Sequence, residues 1–368
     1  IASKKRNGWN LNRMTLAFFA PLKSPNHPVP SGDRAMARAL MVALTKGGYN
    51  VELVSELRLY EKLGNKKLQA VLRVAAETEI IRLLQNSAAT SWKLWVTYHN
   101  YYKAPDLVGP AVSQALGIPY VQIESSRARK RLIGPWADFE AAAEFASNAA
   151  DTIFYFTQRD AKTLYRDAPE GQKLVHLAPF LSRTDLPKES SRQGPFLNVG
   201  MMRYGDKLDS YQLVADVLAL LPESLDWRLN IVGDGPARSE VEQMMAPYKT
   251  RVKFLGIQSA SALAEQYAHS SLFFWPGVNE AFGLVYLEAQ AAGLPVVAQN
   301  RPGVRDVVFG AHPLPGEGAK AMANQIMHLM TDQSERDIIG QSAREKVQSC
   351  HLLDTAAQTL NTALEVLM

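Results

Sequence analysis

A single cysteine, Cys350, stands among 368 residues, which excludes an intramolecular disulfide and any zinc site assembled from thiolates. The expected setting is reducing, with the cytoplasm as the default. Long apolar runs are missing too. The nearest are strand-like pieces such as LFFWP at 272–276, far short of the roughly 18 to 20 residues that span a bilayer. Charge of one sign is scarce: the net charge is +4 and the isoelectric point about 9.0. That small excess permits attraction to anionic lipid or phosphate. Its basic residues fall in short separate clusters rather than one stripe, so no nucleic-acid partner is expected. No Asp-x-Asp triplet for a divalent ion occurs, and no metal is expected. Lys4, Lys5 and Arg6 are not followed by the apolar stretch of a signal peptide. Residues 1–13 read as a loose leader or expression remnant, with Met14 opening the first strand.

What is present is the balance of a globular chain, 47% hydrophobic and 21% charged, long enough for two α/β domains of roughly 150 to 200 residues. From Met14 the chain alternates: strand TLAFFAP, a Pro/Ser/Gly loop at 21–33, a helix over about Arg34–Lys46, and strand VELVS. A βαβ opening of this kind implies a parallel sheet with ligands beyond the carboxyl ends of its strands. The alternation continues to about Phe180, breaks over the Pro-, Ser- and charge-rich segment 181–195, and restarts with FLNVG. The expected organisation is a first domain at 14–180, a linker at 181–195, a second domain at 196–350, and a final helix at 351–368 that returns to the first domain. The fold class is α/β, with two Rossmann-like domains whose parallel sheets face a cleft. Two closing helices are expected over about Ala319–Met330 and Glu335–Leu367.

The densest constellation runs from Pro276 to Ala298. A strand ends in Pro-Gly-Val-Asn-Glu, a turn holds Phe282, Gly283 and Leu284, and a helix begins. Free backbone N–H groups and the positive end of a helix dipole converge at such a turn, which suits an anion. Glu280 precedes the helix and Glu288 lies along it, so the pair can hold two ends of one elongated ligand through vicinal hydroxyls. Either glutamate alone is equally a first-turn or solvated residue. The small residues that follow Glu288, Ala-Gln-Ala-Ala-Gly-Leu-Pro-Val-Val, leave a long acid on a crowded surface and favour the functional reading.

NEAFGLVYLEAQAAGLPVVA resembles the E-x7-E motif of the retaining glycosyltransferases of family 4, the group 1 glycosyltransferases of GT-B fold, written E-G-F-G-L-x-x-x-E-A-x-A-x-G-x-P-V. Upstream, LNIVGDGPARSEVE and VKFLG resemble the family's strand-and-turn segments, and the likeness covers most of residues 196–308. It implies that Glu280 faces the donor sugar and Glu288 binds the ribose, with Gly233 and Gly256 among the donor-binding positions.

In VGMMRYGDKLDSY, Arg203 and Lys207 follow a strand and a glycine, where two flexible cations can neutralise a diphosphate leaving group. The family carries a comparable pair with the arginine directly behind the glycine; here Met201 and Met202 intervene. HPVPSGDRAMARALMVALTKGGYNV is similar to the family's glycine loop and first helix, with Ser31-Gly32 where two glycines are common. Gly32 lets backbone amides approach a phosphate, or simply makes a turn beside Pro30. His99 and Glu124 end two strands of the first domain. Many family members carry a histidine where this chain has Glu124, which leaves open whether His99, Glu124 or neither lines the sugar and acceptor side. Tyr98, Tyr101 and Tyr102 stack on a sugar or fill core. Arg127, Arg129, Lys130 and Arg131 form either a site for an anionic acceptor or membrane lipid, or a solvated charge run. His27 carries no assigned role.

The resemblance implies a retaining transferase. A sugar moves from a nucleoside-diphosphate sugar to an acceptor hydroxyl, on a carbohydrate or glycolipid of the bacterial envelope or an exported polysaccharide. No cofactor or metal is involved. A cytoplasmic location is implied, with peripheral contact to an anionic membrane. Two alternatives stand beside it: a nucleotide-sugar epimerase on the same fold, and a catalytically silent sugar-nucleotide-binding homologue.

Overall fold

A computed structural model describes residues 14–29 and 31–368; the leader expected at 1–13 lies outside them. The chain divides into two compact units. The first reaches Phe156 and continues with Asp160–Leu177 and Ala357–Met368, and the second holds Thr157–Arg159 and Ala178–Ala356.

The first unit alternates without exception: β1 (Thr15–Phe19), α1 (Gly32–Lys46), β2 (Asn50–Ser55), α2 (Lys66–Leu84), β3 (Trp92–Asn100), α3 (Gly109–Leu116), β4 (Tyr120–Ser125), α4 (Ala137–Ala149), β5 (Thr152–Tyr155), α5 (Gln158–Asp167) and β6 (Lys173–His176). The six strands form one parallel sheet in the order β2-β1-β3-β4-β5-β6. Strands covered on both faces need near-continuous apolar sequence, and β1 supplies it: Leu16, Ala17, Phe18 and Phe19 are all fully buried. In α1, Met36, Ala37, Leu40, Ala43 and Leu44 recur at helical spacing and are buried, and the Ser31 hydroxyl caps the first turn by accepting from Arg34 N–H at 3.3 Å. Strand order reverses between β1 and β3. In an open α/β sheet the ligand crevice opens at such a reversal, beyond the carboxyl ends.

The second unit repeats the plan: β7 (Phe196–Val199), α6 (Asp206–Leu218), β8 (Leu229–Val232), α7 (Arg238–Met245), β9 (Val252–Gly256), α8 (Ala260–Ala268), β10 (Phe273–Phe274), α9 (Leu284–Ala291) and β11 (Val296–Val297), followed by α10 (Gly318–Thr331), α11 (Gln333–Cys350) and α12 (Leu353–Leu364). Its parallel sheet has the order β11-β10-β7-β8-β9. Here the reversal lies between β7 and β10. Trp275, Tyr211, Tyr286, Phe196 and Phe274 are fully buried and make its core.

Two expectations are corrected. Segment 181–195 is no free linker but part of the second unit: Leu181 bridges to Leu352, the Ser190 hydroxyl donates to Ser270 O at 2.7 Å, and Ser190 N–H to Ala292 O at 2.7 Å. The single helix expected over Glu335–Leu367 is two, and the break agrees with the final helix placed at 351–368; it falls at His351, whose buried ring holds the Pro179 carbonyl through Nδ1 at 2.6 Å. A polar ring committed to a distant carbonyl outweighs the local helical pattern. Residues from Ala357 onward group with the first unit. No described helix is long and apolar enough to cross a membrane.

Candidate functional site

At the reversal of the second sheet stand Arg203, in the loop after β7, Lys207, on the first turn of α6, and Glu280, in the loop after β10. The β10–α9 loop is pinned to the first turns of α6: Asn279 Nδ2 donates to Asp206 Oδ1 at 2.7 Å, and Val278 N–H to the Ser210 hydroxyl at 3.0 Å. Asn279 takes a left-handed backbone, φ 49°, one residue before Glu280. Glu280, 12% exposed, receives two donors on the same oxygen. Trp275 Nε1–H lies 2.9 Å from Oε1, and the Lys207 ammonium pairs with that atom. Lys207 Nζ also sits over the Trp275 ring, 5.4 Å from its centroid. Arg203 is exposed, and no hydrogen bond or ion pair engages its guanidinium among the described residues.

Glu288 lies on α9, eight residues after Glu280. It accepts from the Tyr267 hydroxyl at 2.8 Å. Burial raises its carboxyl above the ordinary value, while the Tyr267 bond and the charge of Arg183 pull it down. Gly283, φ 78°, is the residue before α9, Leu284 is its first residue, and Phe282 is buried beside them. The turn anticipated at Phe282–Leu284 therefore opens a helix that starts at the carboxyl end of the sheet.

Gly233 and Gly256 have structural reasons for being glycine. Gly233 N–H donates to Gly256 O at 2.9 Å, and a Cβ on Gly233, φ 134°, would overlap the Gly200 carbonyl oxygen. Gly256 has φ 65° and open space around its Cα, with only Arg238 Nη1 at 4.0 Å.

At the reversal of the first sheet stand Ser31 and Gly32, after β1, and His99, at the end of β3. A Cβ on Gly32 would meet nothing within 4 Å, so the packing does not require glycine there. His99 and Glu124 sit side by side on neighbouring strands. Both hold left-handed backbones, φ 76° and φ 60°, which for non-glycine residues cost roughly 1 kcal/mol or more each. His99 Nδ1 is buried, 3.6 Å from Glu124 Oε2, and has no hydrogen-bond partner. Burial raises the Glu124 carboxyl; His99 and a bond from Tyr98 oppose the shift, and Asp160 and Asp33 add to it. Tyr98 is core, whereas Tyr101 and Tyr102 continue an aromatic row from His99, at 5.0 Å and 5.5 Å between successive centroids.

The run at 127–131 is not one basic patch. Arg127 is buried and bonds Asn148 Oδ1 at 2.7 Å, Arg129 pairs with Asp167 at 2.5 Å, and Arg131 lies 5.0 Å over Tyr102 and Trp136. Only Lys130 and Arg129 are exposed. His27 is spent locally, accepting Val29 N–H at 3.1 Å. Among the described residues no three His, Cys, Asp or Glu side chains group as metal ligands.

Trp275, Tyr267, Asp206 and Asn279 were not anticipated. A tryptophan closing a buried strand needs a partner for its N–H, which is the one signal that points to Trp275 in advance.

Residues 195–346 match the family described as glycosyl transferases group 1. A sulfoquinovosyl transferase of Arabidopsis thaliana is 32% identical over 38% of this chain, which spans 28% of that relative's length. A D-inositol 3-phosphate glycosyltransferase of Pseudarthrobacter chlorophenolicus is 23% identical over 93% of this chain and 92% of its own. Among solved structures, the sucrose-phosphate synthase of Thermosynechococcus elongatus superposes with a TM-score of 0.72 at 19% identity, covering 96% of this chain and 99% of that one. HepE of Anabaena, solved in complex with UDP, also gives 0.72, at 17% identity over 96% of this chain and 100% of its own. The motif, the two parallel-sheet units and these likenesses agree on the architecture: the chain has the GT-B fold, and its residues 195–346 match the group 1 glycosyl transferases.

Proposed function

We propose that this protein is a retaining glycosyltransferase that moves a sugar from a nucleoside-diphosphate sugar to an acceptor hydroxyl without a metal. The observation that carries the reading is the meeting of Lys207 and Glu280 at the reversal of the second sheet, with Glu288 further along the helix that begins there. Solved relatives of the fold are described in complex with UDP and with UDP-glucose, which supports a nucleotide-sugar donor.

In this reading Glu288 accepts the ribose hydroxyls and Glu280 those of the sugar. Arg203, Lys207 and the amides of Phe282–Leu284 take the diphosphate, with Gly233 and Gly256 at the phosphate and nucleoside contacts; for Ser31 and Gly32 of the first unit, a phosphate-contacting role rests on the resemblance of their loop alone. The bond from the anomeric carbon to the phosphate oxygen breaks as the acceptor oxygen bonds to that carbon, and negative charge grows on the departing phosphate. Cations held near that oxygen stabilise the transition state more than the bound donor. The His99–Glu124 pair is assigned to the sugar and acceptor side. A carboxylate whose proton affinity is raised by burial is suited to take the proton that the acceptor hydroxyl gives up.

The acceptor is proposed to be a carbohydrate or glycolipid of an envelope or exported polysaccharide, met at the cytoplasmic face of an anionic membrane. Exposed Leu63 and Ile133, with Lys62, Lys66, Lys67 and Lys130, support peripheral contact through the first unit.

A thermal-shift screen against uridine, guanosine and adenosine diphosphates and their sugars identifies the donor, because a ligand that binds the native state raises Tm. Calorimetry on Glu288→Ala is then expected to show at least a tenfold loss of affinity for that donor, roughly 1.4 kcal/mol or more. Unchanged affinity overturns the assignment. Product with inverted anomeric configuration by NMR overturns retention.

A further inference from the structure

We propose that the Lys207–Glu280 pair is a selectivity element that makes the donor site favour a nucleotide carrying its sugar over the free nucleoside diphosphate. The inference rests on the donor-site reading given above and adds a regulation of that site.

The three side chains are unequal in freedom. Trp275 is fully buried, with its ring 5.0 Å from that of Tyr211 in an edge-on contact, and a Cβ on Gly200 would reach both within 3.3 Å. The Tyr211 hydroxyl is itself fixed, donating to Gly200 O at 2.9 Å. The direction of the Trp275 N–H is therefore set by the core. Glu280 is held by that N–H, on a loop tied to α6 through Asn279 and Val278. Lys207, 30% exposed on the first turn of α6, is the one member with a long flexible stem. When a diphosphate binds, Lys207 is the group that moves.

The move has a consequence for Glu280. A carboxylate 12% exposed, with its cation withdrawn, keeps only the neutral Trp275 N–H and faces a nearby polyanion. A free nucleoside diphosphate presents only phosphate oxygens on the Glu280 side, its ribose hydroxyls being taken by Glu288, so it leaves this loss uncompensated. A nucleotide sugar brings hydroxyl donors, which replace the bonds that Lys207 gave up. Removing one partner of a partly buried charged pair is costly, and restoring a donor recovers part of that cost. The sugar thus contributes beyond its own contacts, and the diphosphate product is released more readily than the donor.

The test is calorimetry with UDP, GDP and ADP and with UDP-glucose, GDP-mannose and ADP-glucose, on the wild type and on Glu280→Gln. Glutamine keeps an acceptor for the Trp275 N–H and removes the charge that holds Lys207. The free diphosphate is expected to bind roughly tenfold tighter to E280Q than to the wild type, while its sugar conjugate does not tighten, so the ratio of the two Kd values collapses. Trp275→Phe keeps a smaller aromatic ring in the core and removes the N–H. It is expected to weaken binding of the free diphosphate further, because Glu280 then depends on Lys207 alone. Free diphosphate binding that is unchanged or weaker in E280Q overturns the selectivity role while leaving the donor site standing. If none of the six compounds binds the wild type, the donor-site reading falls, and this inference with it.

Discussion

Gly233 carries a constraint that no ligand has to supply. Its φ of 134° and the overlap of any Cβ with the Gly200 carbonyl oxygen come from the way the β8 loop lies against the β7 loop, where Met202 N–H also donates to Asp234 O at 3.0 Å. Gly233→Ala is expected to lower stability by about 2–4 kcal/mol, as strained backbone combined with a main-chain clash does. Chemical denaturation reads this, and an unchanged midpoint contradicts the packing argument. Gly32 is the contrasting case, with open space around it, so nothing in the packing requires glycine there. Both were legible in sequence as glycines of a loop, but their different reasons were not, because φ and the approach of a distant carbonyl are properties of the folded chain. The same holds for Glu280 and Glu288. Their spacing is readable in the motif, whereas Lys207, Trp275 and Tyr267 reach them from positions 21 to 73 residues away for Tyr267 and Lys207, and five for Trp275.

At the scale of elements, the segment after β4 is held by α4. Glu140, fully buried, accepts Ala128 N–H on one oxygen and leaves the other without a partner. Burial pushes its carboxyl from 4.5 up to about 7, with the nearby charge of Glu144 adding to the shift and the Ala128 N–H and Arg127 opposing it. A carboxyl with a higher pKa in the folded state binds its proton more tightly there. Its contribution is therefore present below about 4.5 and is lost as pH rises through about 7. Glu140→Gln is expected to be more stable than the wild type at pH 8, by on the order of 1–2 kcal/mol after screening, with the gap closing toward pH 4.5. Thermal melts across that range check the sign; a gap that widens toward acid contradicts it. Arg127, read in sequence as one of four basic residues in a cluster, belongs to this buried arrangement instead. Residue type alone does not say which arginine of a run turns inward. The left-handed ends of β3 and β4 at His99 and Glu124 are likewise invisible to a pattern of alternating apolar residues.

At the scale of the molecule, the first unit presents a rim that matches an anionic surface. Leu63 and Ile133 are 79% and 84% exposed, and their loops meet where Gly64 packs on Pro135 and Trp136. Lys62, Lys66, Lys67 and Lys130 are exposed around them. Glu61, the acid within the first loop, is turned inward to accept Leu63 N–H at 2.7 Å. The protein is expected to sediment with phosphatidylglycerol vesicles at low salt and not with phosphatidylcholine alone. The double variant L63S/I133S is expected to lose most of that binding while its Tm stays within about 2 °C of the wild type. Equal binding to neutral vesicles, or none to either, rejects this surface.

The sequence by itself determined the α/β alternation, the two parallel sheets and the loop that carries Glu280 and Glu288, because these follow from local apolar periodicity and from turn residues with short-range reasons. Only the tertiary structure decided that segment 181–195 joins the second unit, that the His351 ring holds the Pro179 carbonyl, and that Lys207 and Trp275 share one oxygen of Glu280. Each depends on burial and on partners far apart in the chain. Such contacts form only once the strands and helices of the second unit have packed, so no local pattern encodes them.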